Sequence, residues 1–198
     1  MVRPPTPPAA ALALALPLAL LAGGCEDPGP KLTLVYMSPQ GSERVLLEAA
    51  RFQGGIPVHV DGAPAGWGDA DGLSVQLAAR FATAQARPDW RIEGAGRPPR
   101  GPDGTRIVVS FDPETGFSGV SICQGEEIGG EEIGGEGIGS ETAPDPMSFR
   151  LVICDGARRA AEALATLPRP AGPETEPFRR LFSEAAAAVV EREQERRR

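Results

Sequence analysis

The segment Thr105–Phe111 reads as the clearest strand, setting Ile107, Val109 and Phe111 on one face. A strand with a single apolar face is not stable alone. It needs neighbours in a sheet and a second layer over that face. Other segments supply the neighbours. Leu32, Leu34 and Tyr36 alternate with Thr33 and Val35, which predicts a first strand. Ile56–Val60 predicts a short strand with His59 facing away from Val58 and Val60, and Trp90–Glu93 opens another. In Phe117–Cys123, Val120 and Ile122 oppose Ser121 and Cys123, and in Met147–Cys154, Phe149, Leu151 and Ile153 share a face. Both segments are expected as strands.

The covering layer is expected from helices. In Glu43–Phe52, Val45, Leu46, Ala49 and Phe52 fit a helical stripe, although a strand also fits this segment. Asp71 is expected to cap a helix running to about Ala86 and stopped by Pro88, with Leu73, Leu77, Phe81 and Ala84 as its stripe. The run with Ala160, Ala161, Ala163 and Ala165 has high helix propensity, predicting a helix over 157–167, part of which can instead extend the sheet. Thr175 is placed to cap a last helix, with Pro177 in its first turn and Phe178, Leu181, Phe182, Ala185 and Val189 on its apolar face. The order predicts an α+β fold. It is a small two-layer domain whose mixed or antiparallel sheet carries helices on one face and a C-terminal helix.

Residues 125–139 form an internal repeat, Gly-Glu-Glu-Ile-Gly, Gly-Glu-Glu-Ile-Gly, Gly-Glu-Gly-Ile-Gly. A period of five matches neither helix nor strand, and the glycines make the backbone expensive to order. Six carboxylates from Glu126 to Glu141 repel one another. The expectation is a disordered acidic insert over 125–146. It lacks the spaced aspartates and tight turn of a calcium loop.

The N-terminus carries Arg3, an apolar stretch from Ala9 to Leu21 broken by Pro17, and then Ala22-Gly23-Gly24 before Cys25. The apolar run is short for a transmembrane helix. These parts match a secretory leader. The run Leu20-Leu21-Ala22-Gly23-Gly24-Cys25 resembles the lipobox of bacterial lipoproteins, with Ala22 standing where leucine is more usual. That resemblance covers 25 of 198 residues. It implies cleavage before Cys25 by signal peptidase II, a diacylglyceryl group on the Cys25 thiol, and an acylated new N-terminus. Residues 1–24 then form the leader, 25–30 the lipidated cysteine and its tether, and 31–198 a single domain. The implied location is the bacterial cell envelope, anchored in the inner or outer membrane with the domain in the periplasm. Cys123, Cys154 and the run Pro168-Arg-Pro-Ala-Gly-Pro173 are also similar to uncharacterised proteobacterial envelope proteins, which implies no activity.

With Cys25 assigned to lipid, Cys123 and Cys154 are left as a pair. In an oxidising compartment a disulfide is the simplest reading, and it can be a cross-strand bridge if the two expected strands are neighbours. A redox or metal pair is a weaker fit, because there is no C-x-x-C spacing and no nearby histidine.

The formal net charge is −7 and Lys31 is the sole lysine. An acidic chain is a poor partner for nucleic acid or for anionic lipid by charge. His59 is the one histidine, and there is no Gly-x-Ser-x-Gly elbow, phosphate loop or dinucleotide fingerprint. Asp69-Ala70-Asp71-Gly72 resembles part of a calcium loop but is better explained as helix capping. No catalytic residue, metal ligand or cofactor is therefore assigned. The leading expectation is a non-catalytic accessory or interaction module that meets an envelope protein through its sheet or a helix face. The alternative is a hydrolase or a small-ligand or cation binder using the region around His59 and Asp61.

Overall fold

A computed structural model describes residues 29–39, 41–85, 90–98, 104–113, 118–125 and 146–190. The expected leader, the cysteine at 25 and all but the ends of the acidic insert lie outside them. The elements run β1 (Lys31–Met37), α1 (Ser42–Phe52), β2 (Ile56–Asp61), α2 (Ala70–Gln85), β3 (Ile92–Gly94) and β4 (Thr105–Phe111). They continue with α3 (Gly119–Gln124), β5 (Met147–Asp155), β6 (Arg158–Leu167) and α4 (Glu176–Val189). Among the described residues the strands form one six-stranded sheet in the order β1-β6-β5-β4-β2-β3. β2 runs parallel to both β3 and β4, and the other pairs are antiparallel. The fold is a small α+β domain with a mixed sheet.

The alternation that predicted the strands sorts the two faces. Ile107, Val109 and Phe111 of β4 lie opposite Ile153, Leu151 and Phe149 of β5, which lie opposite Ala161, Ala163 and Ala165 of β6. This face joins the apolar stripes of α1, α2 and α4 in one core, except that Phe52, expected in the stripe of α1, is exposed at its end. Its densest part is aromatic. The Phe178 ring of α4 lies 4.8 Å from Trp67, 5.5 Å from Phe149, 5.8 Å from Phe182 and 6.1 Å from Phe111. In a chain with few aromatic residues, this cluster concentrates the large apolar area where α4 meets the sheet.

Four local expectations change. The alanine-rich segment is strand β6 rather than a helix over 157–167. Its backbone is paired on both sides, with β1 and with β5. Its buried alanines lie on the face that α4 packs against, where small side chains leave room for bulky ones. Tertiary packing thus overrides the helix propensity of alanine. The turn is decisive as well: Asp155 pairs with Arg158 across the two-residue loop Gly156-Ala157, and Gly156 has φ +58°. A glycine with positive φ at the first central position suits a tight β-hairpin. Second, the described part of the expected strand 117–123 is not a strand: residues 119–124 form α3. Ser118 accepts a hydrogen bond from the Ser121 amide, and Gly125 closes the helix in the left-handed region. Third, α1, α2 and α4 share one face, but α3 lies on the other, where Ile122 and Cys123 join Val108, Val152 and Cys154. Fourth, Asp69 rather than Asp71 caps α2, its Oδ1 accepting the Gly72 amide at 2.7 Å.

Thr175 does occupy the N-cap position of α4, but its hydroxyl donates to the Gly172 carbonyl at 2.9 Å instead of capping. The segment that fitted both helix and strand is the helix α1. Its buried Ser42 hydroxyl donates to the Val189 carbonyl, joining the start of α1 to the end of α4.

Phe178→Ala should lower stability by about 3–5 kcal/mol, the range for truncating a buried aromatic residue. Urea denaturation of the variant against the parent protein measures it. A loss under about 1 kcal/mol would show that the cluster relaxes around the gap.

Candidate functional site

Polar and charged side chains gather on the sheet face opposite the main core. Because residues alternate, Arg106, Ser110, Arg150, Glu162 and His59 all point there, between the apolar positions of their strands. At the centre Glu162 is fully buried. Arg150 of β5 donates to its Oε1 and Arg159 of β6 to its Oε2. The Arg159 guanidinium also lies 4.1 Å from the centroid of the Tyr36 ring on β1, a cation–π contact. One carboxylate thus holds two arginines from adjacent strands. Arg106, also buried, donates through Nη2 to the Cys123 carbonyl at 2.7 Å.

α3 covers this cluster. A Cβ added at Gly119 would come within 2.5 Å of Glu162 Oε2 and 2.8 Å of its Cδ. The first residue of α3 therefore sits directly on the carboxylate, and any larger residue there requires the Glu162 and Arg159 side chains to shift. At the other end of the helix, Cys123 and Cys154 form a disulfide-capable pair with Cα atoms 5.3 Å apart. The structure brings these cysteines together across a helix and a strand instead of two strands.

His59 and Asp61 lie at the side of this face. His59 is only 7% exposed, and its Nδ1 lies 3.0 Å from the Arg97 carbonyl. A carbonyl only accepts, so Nδ1 carries the proton. Burial lowers the His59 pKa below its ordinary value, and the Arg106 charge adds to this, while the backbone carbonyls of residues 95–97 oppose it. Burial raises the pKa of Asp61, against the pull of the Ser110 hydroxyl and Arg97. Ser110 Oγ donates to Asp61 Oδ2 at 3.3 Å. A hydrolytic relay places the imidazole between hydroxyl and carboxylate. Here Ser110 bonds to the carboxylate directly, and the imidazole bonds to the backbone.

Grooves lie elsewhere. One of about 480 Å³ between α2 and α4 is lined by Arg80, Thr83, Arg179, Ser183 and Glu184 among others. A second, of about 490 Å³, runs along Pro30, Leu32, Pro177 and Leu181. Neither includes His59 or Asp61. Among the described residues, no group of three or more His, Cys, Asp or Glu side chains is arranged to hold a metal ion.

The charged cluster was not foreseen from sequence. Its signal was there: Arg150 interrupts Phe149 and Leu151, and Glu162 interrupts Ala161 and Ala163, at alternate positions of buried strands. Reading 157–167 as a helix concealed the second of these. No family model, no curated protein and no solved structure matches the chain.

Two outcomes follow from this geometry. Glu162→Ala leaves two largely buried guanidinium groups without their carboxylate and should cost about 3–5 kcal/mol in urea denaturation. For His59, the lowered pKa means that the unfolded chain binds the proton more readily. Its contribution is complete above the ordinary value of 6.5 and is lost as the pH falls below it. Asp61 acts with the opposite sign: it weakens the fold as the pH rises past its ordinary 3.8. Melting temperatures followed from pH about 7.5 down to about 5 should therefore fall less steeply for His59→Gln than for the parent protein. Parallel curves would remove His59 as the source of the acid-side loss.

Proposed function

We propose that the chain is a lipid-anchored lipoprotein of the bacterial cell envelope, whose periplasmic domain is a non-catalytic accessory or interaction module. The carrying observation is the run Leu20-Leu21-Ala22-Gly23-Gly24-Cys25 at the end of an apolar leader. In this reading Cys25 bears the lipid. Two or more acyl chains hold a protein stably at a membrane, whereas one does so only marginally. The short tether to Lys31 then leads into β1, an edge strand. No helix among the described residues is long and apolar enough to cross a membrane.

Two features of the domain support this reading. Cys123 and Cys154 are placed to form a disulfide, as an oxidising periplasm favours. The polar groups best suited to chemistry, His59, Ser110, Asp61 and Glu162, are engaged with neighbouring side chains or backbone. The domain acts by being held at the membrane, where its sheet edge or a helix face meets an envelope protein.

Mass spectrometry of the protein from its native host, with Cys25→Ser as control, tests the anchor. The expected product begins at Cys25 and carries a diacylglyceryl group and an N-acyl chain, and the control lacks both. Reduction should add one hydrogen to each of Cys123 and Cys154. An unlipidated product cut at another position would overturn the proposal.

A further inference from the structure

The placement of α3 has a consequence that does not depend on lipid at Cys25. The helix is six residues long, far below the length at which a helix persists by itself. Its apolar anchorage is small. Ile122 and Cys123 pack with Val108, Val152 and Cys154 in a cluster separate from the main core, and Arg106 donates to the Cys123 carbonyl. Meanwhile β4, β5 and β6 are held by their ladders and by the core on the other face. Among the described residues the sulfur pair is the one covalent tie between α3 and the sheet, whose strands have ladders and a core of their own. Beneath the helix lies the Glu162–Arg150–Arg159 cluster, with Gly119 pressed on its carboxylate.

We propose that α3 is a redox-released latch: reduction of the Cys123–Cys154 bond frees Gly119–Gln124 from the sheet and bares the Glu162–Arg150–Arg159 cluster while the sheet stays folded. The reductant is a dithiol. One of its thiolates attacks a sulfur of the pair and forms a mixed disulfide, and its second thiol displaces the protein sulfur. The reductant leaves as its own disulfide. Cys123 and Cys154 take up two electrons and two protons as thiols. Both cysteines are fully buried, so the dithiol reaches them only when α3 lifts. Helix seating and reducibility are therefore linked: whatever unseats α3 also exposes the bond, and breaking the bond unseats α3.

Gly119→Ala separates this from a simple structural staple, because it unseats α3 without touching sulfur. The added methyl collides with a carboxylate that two arginines hold in place. The test measures thiol release by dithiothreitol, with maleimide trapping, in the full-length protein. Gly119→Ala should release thiols about tenfold faster or more than the parent protein at unchanged far-ultraviolet circular dichroism. Hydrogen exchange on the reduced parent protein should show lost protection over 118–125, with retained protection in β4 and β6. This second measurement decides the matter if the variant fails to fold. Three results would overturn the latch: equal release rates in folded Gly119→Ala, unchanged protection over 118–125 after reduction, or reduction that proceeds only at the rate of global unfolding.

Discussion

The register of the β4–β5–β6 ladder is the constraint on which the rest of the structure depends. Each strand is apolar on one face and carries charge within the other. Ile107, Ile153 and Ala161 align, as do Val109, Leu151 and Ala163, and Phe111, Phe149 and Ala165. A slip of one residue would turn Arg150 and Glu162 into the aromatic core and Phe149 out of it. With the register set, α4 has a flat bed of alanines to lie against, and Phe178 reaches both β4 and β5 residues. The same register brings Glu162 between two arginines. The main core and the charged cluster are two faces of one alignment.

The two faces do different physical work. The helix-covered face buries most of the apolar side chains and supplies the non-directional part of the stability. The opposite face buries charge, and that is tolerable only because both Glu162 oxygens are occupied. Such an arrangement is specific rather than strongly stabilising, since desolvation of the three groups offsets much of their attraction. It also explains the glycine at the start of α3: the helix can approach a charged group that has no room for a methyl.

Much of the sheet was legible in the sequence. Residues spaced by two along one face identified Thr105–Phe111 and Met147–Cys154, and spacing at helical intervals identified α2 and α4, because the large apolar residues of each keep one period throughout. Two other segments were not. In Phe117–Cys123 a few alternating residues suggested a strand, while the capping signals Ser118 and Gly125 marked a helix. In 157–167 alanine propensity outweighed the Asp155-Gly156 turn, although the turn was the better guide. The site suffered for the same reason. His59 stands out in the sequence as a lone histidine, yet the larger electrostatic feature depends on Glu162 lying in a strand.

By itself the sequence determined the α+β class, which segments carry one apolar face, and that His59 is the single histidine; it left Cys123 and Cys154 as an expected pair. These follow from local periodicity and residue type. Only the tertiary structure decided that an alanine-rich run is a strand, that α3 lies on the far face, and that Glu162 holds Arg150 and Arg159 beneath it. The physical reason is that these outcomes depend on what lies opposite each segment: a paired backbone on both edges of β6, a bulky helix above its alanines, and opposite charges on neighbouring strands.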